Sequence, residues 1–348
     1  MRSVVIKGVK VLEVEKKEKL LPKEGYVLIE ILKAGICGSD IHYWDLGDPK
    51  GLVMGHEFCG IVLDNGGCER FNVGDRVTAL PISPCMKCEE CKKSDIQICA
   101  ETWTYAVGLS LDNPGAFSER VLVREDMVRL LPDSINDKVG AMIEPAAVSY
   151  RAVNLSDVNE GDKVLVVGGG IIGLLCAMFA KSRGAGYVAL TETNESRGEK
   201  AFKLGVCDEW FNALDENLNE KVMSKTGNGF DVVFDCCGNS AALSSAIMFT
   251  KPDGNLILVG ISMGLVNIPL VAGIMKEINI KGTIGYSAHE FDEVIRLAST
   301  NELNLEKFVD DVVSLEEVQE AFERLTSGND SAVKILVDPK KYKILNLK

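Results

Sequence analysis

The chain between about residue 150 and residue 285 alternates short apolar runs with segments of helical length. The apolar runs are KVLVVGGG, YVALTE, DVVFDCCG and GNLILVG, and the longer segments include IIGLLCAMFAKSRGA and SAALSSAIMFT. Strands that alternate with helices form a parallel sheet with helices on both faces, because each helix carries the chain back along the sheet. The pattern therefore predicts a doubly wound α/β domain.

A glycine-rich turn follows the first of these apolar runs. Gly168, Gly170 and Gly173 have the spacing G-x-G-x-x-G, which lets backbone N–H groups approach a pyrophosphate, although an ordinary glycine-rich turn has the same spacing. The next run ends in Glu192, nineteen residues after Gly173. A carboxylate there hydrogen-bonds the ribose of NAD and repels the 2′-phosphate of NADP, so NAD is the expected cofactor. The nearby Arg197 is a mild counter-signal.

The rest of the chain has a different organisation. Residues 1 to about 145 contain short alternating runs broken by glycine and proline, such as GYVLIEILKAGIC and GAFSERVLV, which are typical of a strand-rich domain. After residue 286, two segments have the period of amphipathic helices, and AVKILVD has the pattern of a closing strand. Because 348 residues exceed the size at which one core keeps growing, we expect two domains.

Four cysteines lie close together in the stretch PCMKCEECKKSDIQICA. They are Cys85, Cys88, Cys91 and Cys99, separated by two, two and seven residues. This spacing can direct four thiolates at one tetrahedral centre, which suits zinc and leaves no open coordination position. An iron–sulfur cluster uses the same ligands, but no chain of electron acceptors is evident. We therefore expect a structural zinc here.

A second candidate metal site lies in AGICGSDIHYWDLGDPKGLVMGHEFCG, residues 34–60. Cys37, His56 and Glu57 offer a thiolate, an imidazole and a carboxylate, a mixed set that suits a catalytic zinc with an exchangeable position. Taken alone, a buried cysteine and a hydrogen-bonded histidine are the commoner interpretation of such residues. The assignment therefore depends on the motifs found elsewhere in the chain.

Charge and composition argue against two classes of partner. The formal net charge is −13 and the basic residues are scattered, so a nucleic-acid partner is not expected. No apolar run approaches the roughly 20 residues that a membrane span requires, and the N-terminal stretch lacks the pattern of a signal peptide. Because no signal-peptide pattern is present, we expect the eleven cysteines to be reduced thiols. We expect a cytoplasmic protein with no membrane partner.

Taken in their order along the chain, these motifs resemble those of the zinc-dependent medium-chain alcohol dehydrogenases, and particularly their sorbitol and polyol dehydrogenase branch. GICGSDIHYW and MGHEFCG resemble the catalytic-zinc motifs, and MIEPAAVSYRAV resembles the segment with a further carboxylate. The resemblance covers essentially the whole chain. It implies an α/β fold with a GroES-like catalytic domain (1–148) that carries a structural-zinc lobe (about 84–100). A Rossmann NAD-binding domain (149–286) and a C-terminal return to the first domain (287–348) would follow.

The resemblance also implies roles for residues at the catalytic zinc. Cys37, His56 and Glu57 would be ligands, and Glu144 would either bind the metal or hold its water.

Other residues would serve the proton, the substrate and the cofactor. Ser39 and His42 would pass the alcohol proton to solvent, and Tyr43 and Tyr286 would contact the substrate. The residues implied to contact the cofactor, besides the three glycines, Glu192 and Arg197, are Ile172, Val259, Gly260 and Ile261.

The implied activity is the zinc-dependent, reversible oxidation of a secondary alcohol by NAD, in a homodimer or homotetramer with two zincs per chain. The small-molecule substrate would be a polyol or sugar alcohol, or its phosphate, giving the ketose. Gly285 stands where sorbitol dehydrogenases have an arginine, so a vicinal diol such as butanediol, threonine or a sugar acid stays an alternative. A non-enzymatic zinc- and nucleotide-binding protein is an alternative of another class.

Overall fold

A computed structural model describes residues 1–300 and 302–342, and the chain in it divides into two compact units. Unit 1 comprises Met1–Pro145, Tyr286–Ser327 and the described part of Lys334–Lys348. Unit 2 comprises Ala146–Gly285 and Gly328–Val333. The domain limits expected from the sequence, at residues 148 and 286, stay predictions.

The described residues form strands and helices along the whole chain. The strands are β1 (Arg2–Gly8), β2 (Val11–Lys16), β3 (Tyr26–Gly35), β4 (Glu57–Asp64), β5 (Arg76–Ala79), β6 (Arg120–Arg124), β7 (Val128–Leu130), β8 (Lys163–Val167), β9 (Tyr187–Glu192), β10 (Glu209–Asn212), β11 (Phe230–Asp235), β12 (Thr250–Leu258), β13 (Asn279–Gly282), β14 (Asp311–Val313) and β15 (Ile335–Val337). The helices are α1 (Gly38–Leu46), α2 (Glu89–Lys92), α3 (Asp137–Gly140), α4 (Ile143–Leu155), α5 (Ile171–Ser182), α6 (Glu195–Lys203), α7 (Leu218–Thr226), α8 (Ser240–Phe249), α9 (Leu270–Met275), α10 (Ala288–Ser299) and α11 (Val318–Thr326).

Unit 1 is built around a seven-stranded, mostly antiparallel sheet. Its strand order is β14-β15-β3-β4-β5-β7, and β6 pairs with the other part of β3. The central strand β3 is rich in branched apolar residues, and Val27, Ile29 and Ile31 are fully buried. Burial of such residues supplies much of the free energy of folding. β15 reaches this sheet from the far end of the chain and pairs antiparallel with the last residues of β3.

Unit 2 contains a six-stranded sheet in the order β10-β9-β8-β11-β12-β13, and every pair of neighbouring strands is parallel. Its strands are short apolar runs such as KVLVV, in which Val164, Leu165 and Val166 are fully buried. The strand order reverses between β8 and β11, where ligands bind beyond the carboxyl ends of the strands. The predicted fold class, a strand-rich GroES-like part with a Rossmann sheet, is confirmed. No helix in the described ranges is long and apolar enough to cross a membrane.

Candidate catalytic and cofactor sites

The register of two strands brings Cys37 and Glu57 together. β3 and β4 pair with Gly35 opposite Glu57, and Cys37 follows β3 as the residue that begins α1. A side chain at residue 35 would displace the Glu57 carboxylate, because a Cβ there would lie 2.1 Å from Glu57 Oε2. One ligand atom each from Cys37, His56 and Glu57 lies within 4.8 Å of the others. The structure thus assembles the three residues that were expected to bind the catalytic metal.

This cluster has the properties of a cation site. His56 and Glu57 are both buried, and a buried carboxylate is costly unless its charge is compensated. Glu57 Oε1 is buried and accepts no hydrogen bond from the residues that the structure describes. Because a thiolate, an imidazole and a carboxylate suit zinc with an open position, the residues present fit that metal.

Asp40 is a site residue that sequence reasoning missed. It is fully buried, its Oδ2 accepts the N–H of Cys37 at 3.0 Å, and its Oδ1 lies 3.5 Å from His56 Nδ1. Burial alone lowers the pKa of His56, but the charges of Asp40 and Cys37 raise it well above 6.5. A carboxylate behind a metal-binding histidine orients the ring. In the sequence, an aspartate in the first helical turn also fits simple capping, so its role was ambiguous.

Lys334 is the second residue that was missed. Its side chain is fully buried, and its Nζ forms an ion pair with Glu57 Oε2 and donates to the carbonyl of Ile36 at 3.0 Å. It lies directly before β15, where AVKILVD has the pattern of an ordinary closing strand. Nothing local in the sequence distinguishes this lysine from an exposed one.

Glu144 lies outside the cluster of three mutually close ligand atoms. It is only 8 % exposed in the first turn of α4, and its Oε1 accepts the hydroxyl of Tyr286 at 2.8 Å. Burial raises the pKa of Glu144 to about 7. Tyr286, which the resemblance implies contacts the substrate, is 1 % exposed, and that role stays a prediction.

Three of the residues expected to move the proton or contact the substrate, Ser39, His42 and Tyr43, lie in α1. Ser39 Oγ lies 3.4 Å from His56 Nε2. His42 and Tyr43 are partly exposed on the same helix, and residues three apart, such as Ser39 and His42, lie on one helical face. Their roles stay proposals.

The four sulfur atoms of Cys85, Cys88, Cys91 and Cys99 form a second cluster, in which ligand atoms lie within 4.8 Å of one another. The N–H of Cys85 lowers the pKa of Cys99 to about 6. The N–H of Cys91 likewise lowers the pKa of Cys88, but partial burial and hydrogen bonds to Glu90 and other thiols raise it overall to about 12. Four sulfur atoms this close together form a closed ligand set, which fits a structural zinc.

In unit 2, the three glycines of the turn have different structural roles. Gly168 has a φ of +106°, and a Cβ there would lie 2.6 Å from the Sγ of Cys237. A Cβ on Gly173 would lie 1.9 Å from the carbonyl oxygen of Gly168. Gly170 precedes α5 and faces open space. The first and third glycines are thus required by packing, and the middle one leaves the helix N-terminus accessible to a phosphate.

Glu192 ends β9, and its carboxylate is hydrogen-bonded to this turn. Its Oε2 accepts the N–H of Gly169 at 2.7 Å, and its Oε1 accepts the N–H groups of Thr193 and Asn194 at 2.7 and 2.9 Å. Each carboxylate oxygen can accept further hydrogen bonds, so the expected ribose contact is compatible with these. Arg197 lies in the first turn of the following helix, α6.

The other expected cofactor residues lie near the same edge of the parallel sheet. Ile172 is in the first turn of α5, and Val259, Gly260 and Ile261 follow β12. The N–H groups of Val259 and Gly260 donate to the carbonyl of Asp235 at the end of β11. The turn after β8, the end of β9 and the segment after β12 therefore share the carboxyl edge of the sheet.

Comparison with known proteins agrees with this arrangement. Residues 23–133 match the model of the alcohol dehydrogenase GroES-like domain, and residues 172–300 match that of the zinc-binding dehydrogenases. Sorbitol dehydrogenase of Bombyx mori is 31 % identical over 96 % of this chain and 97 % of its own length. The 2-dehydro-3-deoxy-L-galactonate 5-dehydrogenase of Pseudoalteromonas atlantica is 33 % identical over 95 % and 96 %. The crystal structure of 2R,3R-butanediol dehydrogenase from Bacillus subtilis has a TM-score of 0.86 at 30 % identity, covering 97 % and 99 %.

The chain belongs to the zinc-dependent medium-chain alcohol dehydrogenases, in their polyol branch. The expected family, enzyme class and cofactors, zinc and NAD, are confirmed by this membership. Like other enzymes of this family, it acts on a small molecule.

Proposed function

We propose that this enzyme oxidises a secondary alcohol group of a polyol or sugar alcohol, or of its phosphate, reversibly to a ketone with NAD as hydride acceptor. The observation that carries the proposal is the cluster of Cys37 with the buried His56 and Glu57, in which one carboxylate oxygen has no partner in the described chain. The similarity to sorbitol dehydrogenase over nearly the full length supports a polyol substrate.

The residues of unit 1 have separate parts in this reaction. When bound, zinc lowers the pKa of the alcohol and NAD accepts the hydride. Cys37, His56 and Glu57 hold the metal. Ser39, beside His56, receives the alcohol proton at its Oγ, and His42 passes it outward from the same helical face.

The residues around the turn after β8 bind the cofactor. The open N-terminus of α5 at Gly170 receives the pyrophosphate, and Glu192 accepts hydrogen bonds from the adenosine ribose. Because Glu192 is negatively charged, a 2′-phosphate is repelled and NAD is preferred over NADP.

A sugar acid is a second candidate substrate. It is favoured by the relative that acts as a 2-dehydro-3-deoxy-L-galactonate 5-dehydrogenase, which covers 95 % of this chain. Gly285 also supplies no guanidinium at the position before Tyr286, so no donor fork is available there for several hydroxyls of a polyol.

A substrate panel tests these proposals directly. The purified, zinc-loaded chain is incubated with NAD or NADP and with polyols, sugar-alcohol phosphates, vicinal diols, threonine and aldonates, and NADH formation is read by absorbance. We expect the highest kcat/KM with a polyol and NAD. Turnover of aldonates alone would replace the first substrate class with the second, and no turnover together with no NADH binding would reject the enzyme.

The proposed proton path has its own test. Ser39→Ala should lower kcat by about 100-fold or more, because general acid–base steps contribute at least that much. Ser134→Ala removes an exposed hydroxyl of the same unit, which donates to the Ser299 carbonyl, and should leave kcat unchanged. Equal rates in the two variants would remove Ser39 from the path.

We also propose that the chain forms a homodimer through β13. This strand is the edge of the six-stranded sheet, so one row of its backbone groups is unpaired within the described sheet. Apolar side chains near it are exposed, including Ile280 at 43 % and Met275 at 80 %. Exposed apolar patches next to a free sheet edge are typical of interfaces between subunits.

Light scattering after gel filtration tests the dimer. Ile280→Asp should produce monomers at concentrations at which the parent chain is dimeric. Val73→Asp places the same charge at a 68 % exposed valine of unit 1 and should leave the mass unchanged. A monomeric parent chain would reject the interface, and a tetramer would require a second one.

We also propose that the protein is located in the cytoplasm. All eleven cysteines are free thiols in the structure, which fits a reducing compartment. Localisation of a tagged chain by microscopy or fractionation would test it.

A further inference from the structure

Tyr286 and Glu144 form a hydrogen-bonded pair beside the candidate zinc ligands. The Tyr286 hydroxyl donates to Glu144 Oε1 at 2.8 Å, and both side chains are buried. Because water is excluded from the pair, this hydrogen bond contributes more than an exposed one would.

Tyr286 and Glu144 are each held near the start of a helix. Tyr286 directly precedes Ser287, the N-cap of α10, and the helix start is fixed by a reciprocal capping box between Ser287 and Glu290. Its ring packs against Phe291, with centroids 5.3 Å apart. Glu144 lies in the first turn of α4. The hydroxyl is therefore directed at the carboxylate by fixed backbone and ring contacts.

Glu144 differs from the three clustered ligands in its position and in its hydrogen bonding. Cys37, His56 and Glu57 have ligand atoms within 4.8 Å of one another, whereas Glu144 is not part of that group. Glu57 also keeps one buried oxygen without a hydrogen bond in the described chain, while an oxygen of Glu144 is engaged by Tyr286.

We propose that Tyr286 is a positioning residue that holds Glu144 out of the zinc ligand set, so that the metal keeps an exchangeable position for the substrate oxygen. The inference rests on the metal site of the proposed function, but not on its substrate. It assigns Tyr286 to the control of metal coordination instead of to substrate recognition.

Tyr286→Phe removes the hydroxyl and keeps the ring, so it releases the Glu144 carboxylate with little change in packing. Released, Glu144 becomes a fourth protein ligand. Zinc should then leave the site about 10-fold or more slowly, since partners of metal ligands change metal affinity by about 10- to 100-fold. The catalytic rate should fall, because the exchangeable position is occupied.

The experiment measures zinc release from the full, zinc-loaded chain into excess colorimetric chelator. Each zinc site gives its own kinetic phase of release. The phase of the catalytic site is identified as the one that is absent from the Cys37→Ser variant. The compared variants are Tyr286→Phe, Glu144→Gln, their double variant, and Tyr150→Phe, a matched control that removes a hydroxyl accepting from Arg183 in unit 2. Activity is measured separately, so a chain without dehydrogenase activity still reports on the metal.

The expected result is slower release in Tyr286→Phe alone. Glu144→Gln should match the parent chain, because Glu144 is not a ligand while Tyr286 holds it. The double variant should also match the parent, since the slowing requires a free carboxylate. Release from Tyr286→Phe that equals or exceeds the parent rate would overturn the proposal, as would slowing that persists in the double variant. If Tyr286→Phe does not fold, Glu144→Gln decides alone: faster zinc loss would mean that Glu144 is already a ligand.

Discussion

Lys334 Nζ and Glu57 Oε2 form a fully buried ion pair between residues 277 positions apart in the chain. Lys334 also donates to the carbonyl of Ile36, so two acceptors hold the ammonium group. The absence of a Cβ at Gly35 leaves the space in which the pair sits, since a Cβ would lie 2.8 Å from Lys334 Cε. One oxygen of a candidate zinc ligand is thus compensated by the protein itself, and the other is left for a cation.

Lys334→Met should destabilise the metal-free chain by about 3–5 kcal/mol, because it leaves the Glu57 carboxylate buried and unpaired. Zinc should restore part of this loss, since the cation then compensates the same carboxylate. Denaturant unfolding of the metal-free and zinc-loaded protein measures both effects. Lys340→Met breaks an exposed pair with Glu30 and should cost little. Equal losses in the two variants would show that the buried pair contributes nothing special.

Asp40→Asn should weaken zinc binding at the catalytic site by about 10- to 100-fold, because the amide no longer provides a charged acceptor for the His56 ring. The N–H of Cys37 can still be accepted by the amide oxygen, so α1 should still form. Competition with a chelator of known affinity gives the zinc affinity. Asp45→Asn changes an exposed residue of the same helix that pairs with Lys10 and serves as the control. An affinity equal to that of the control would exclude an orienting role for Asp40.

Mild chelation should remove one of the two zincs per chain and leave the other. Four thiolates hold zinc more tightly than a set containing an imidazole and a carboxylate, because zinc favours soft sulfur ligands. Metal content per chain is measured before and after dialysis against the chelator, with activity recorded in parallel. Activity should be lost with the first zinc. Two tightly retained zincs would contradict the proposed difference between the sites.

Asp231 should make unit 2 sensitive to acid. Burial raises the pKa of this carboxyl, but hydrogen bonds from Lys251 and from the N–H of Lys163 outweigh burial and lower it below 3.8. The stabilisation is therefore present above the unfolded-state pKa and is lost as the pH falls through the lower folded-state pKa. Asp231→Asn should reduce the free energy of urea unfolding more at pH 7 than at pH 3. Asp133→Asn, at an exposed residue, serves as the control. A loss of unfolding free energy in Asp231→Asn that does not change with pH would count against this account.

The sequence by itself determined the features whose causes are local. The parallel-sheet unit follows from apolar runs alternating with helical segments, and the turn at Gly168 follows from residues close in sequence. Cys85 and Cys99 are fourteen positions apart, so their spacing alone predicted a shared centre. The family resemblance added residues such as Glu144, which no local pattern selects.

The tertiary structure alone decided which partner each buried polar group has. Strand register places Gly35 opposite both Glu57 and Leu336, and this brings Lys334 to the carboxylate. The hydroxyl of Tyr286 donates to Glu144, 142 positions away in the chain, a contact that the sequence does not reveal. Such pairs depend on the register and packing of segments far apart in the chain, and a register shift of one residue would move each side chain to the opposite face of the sheet.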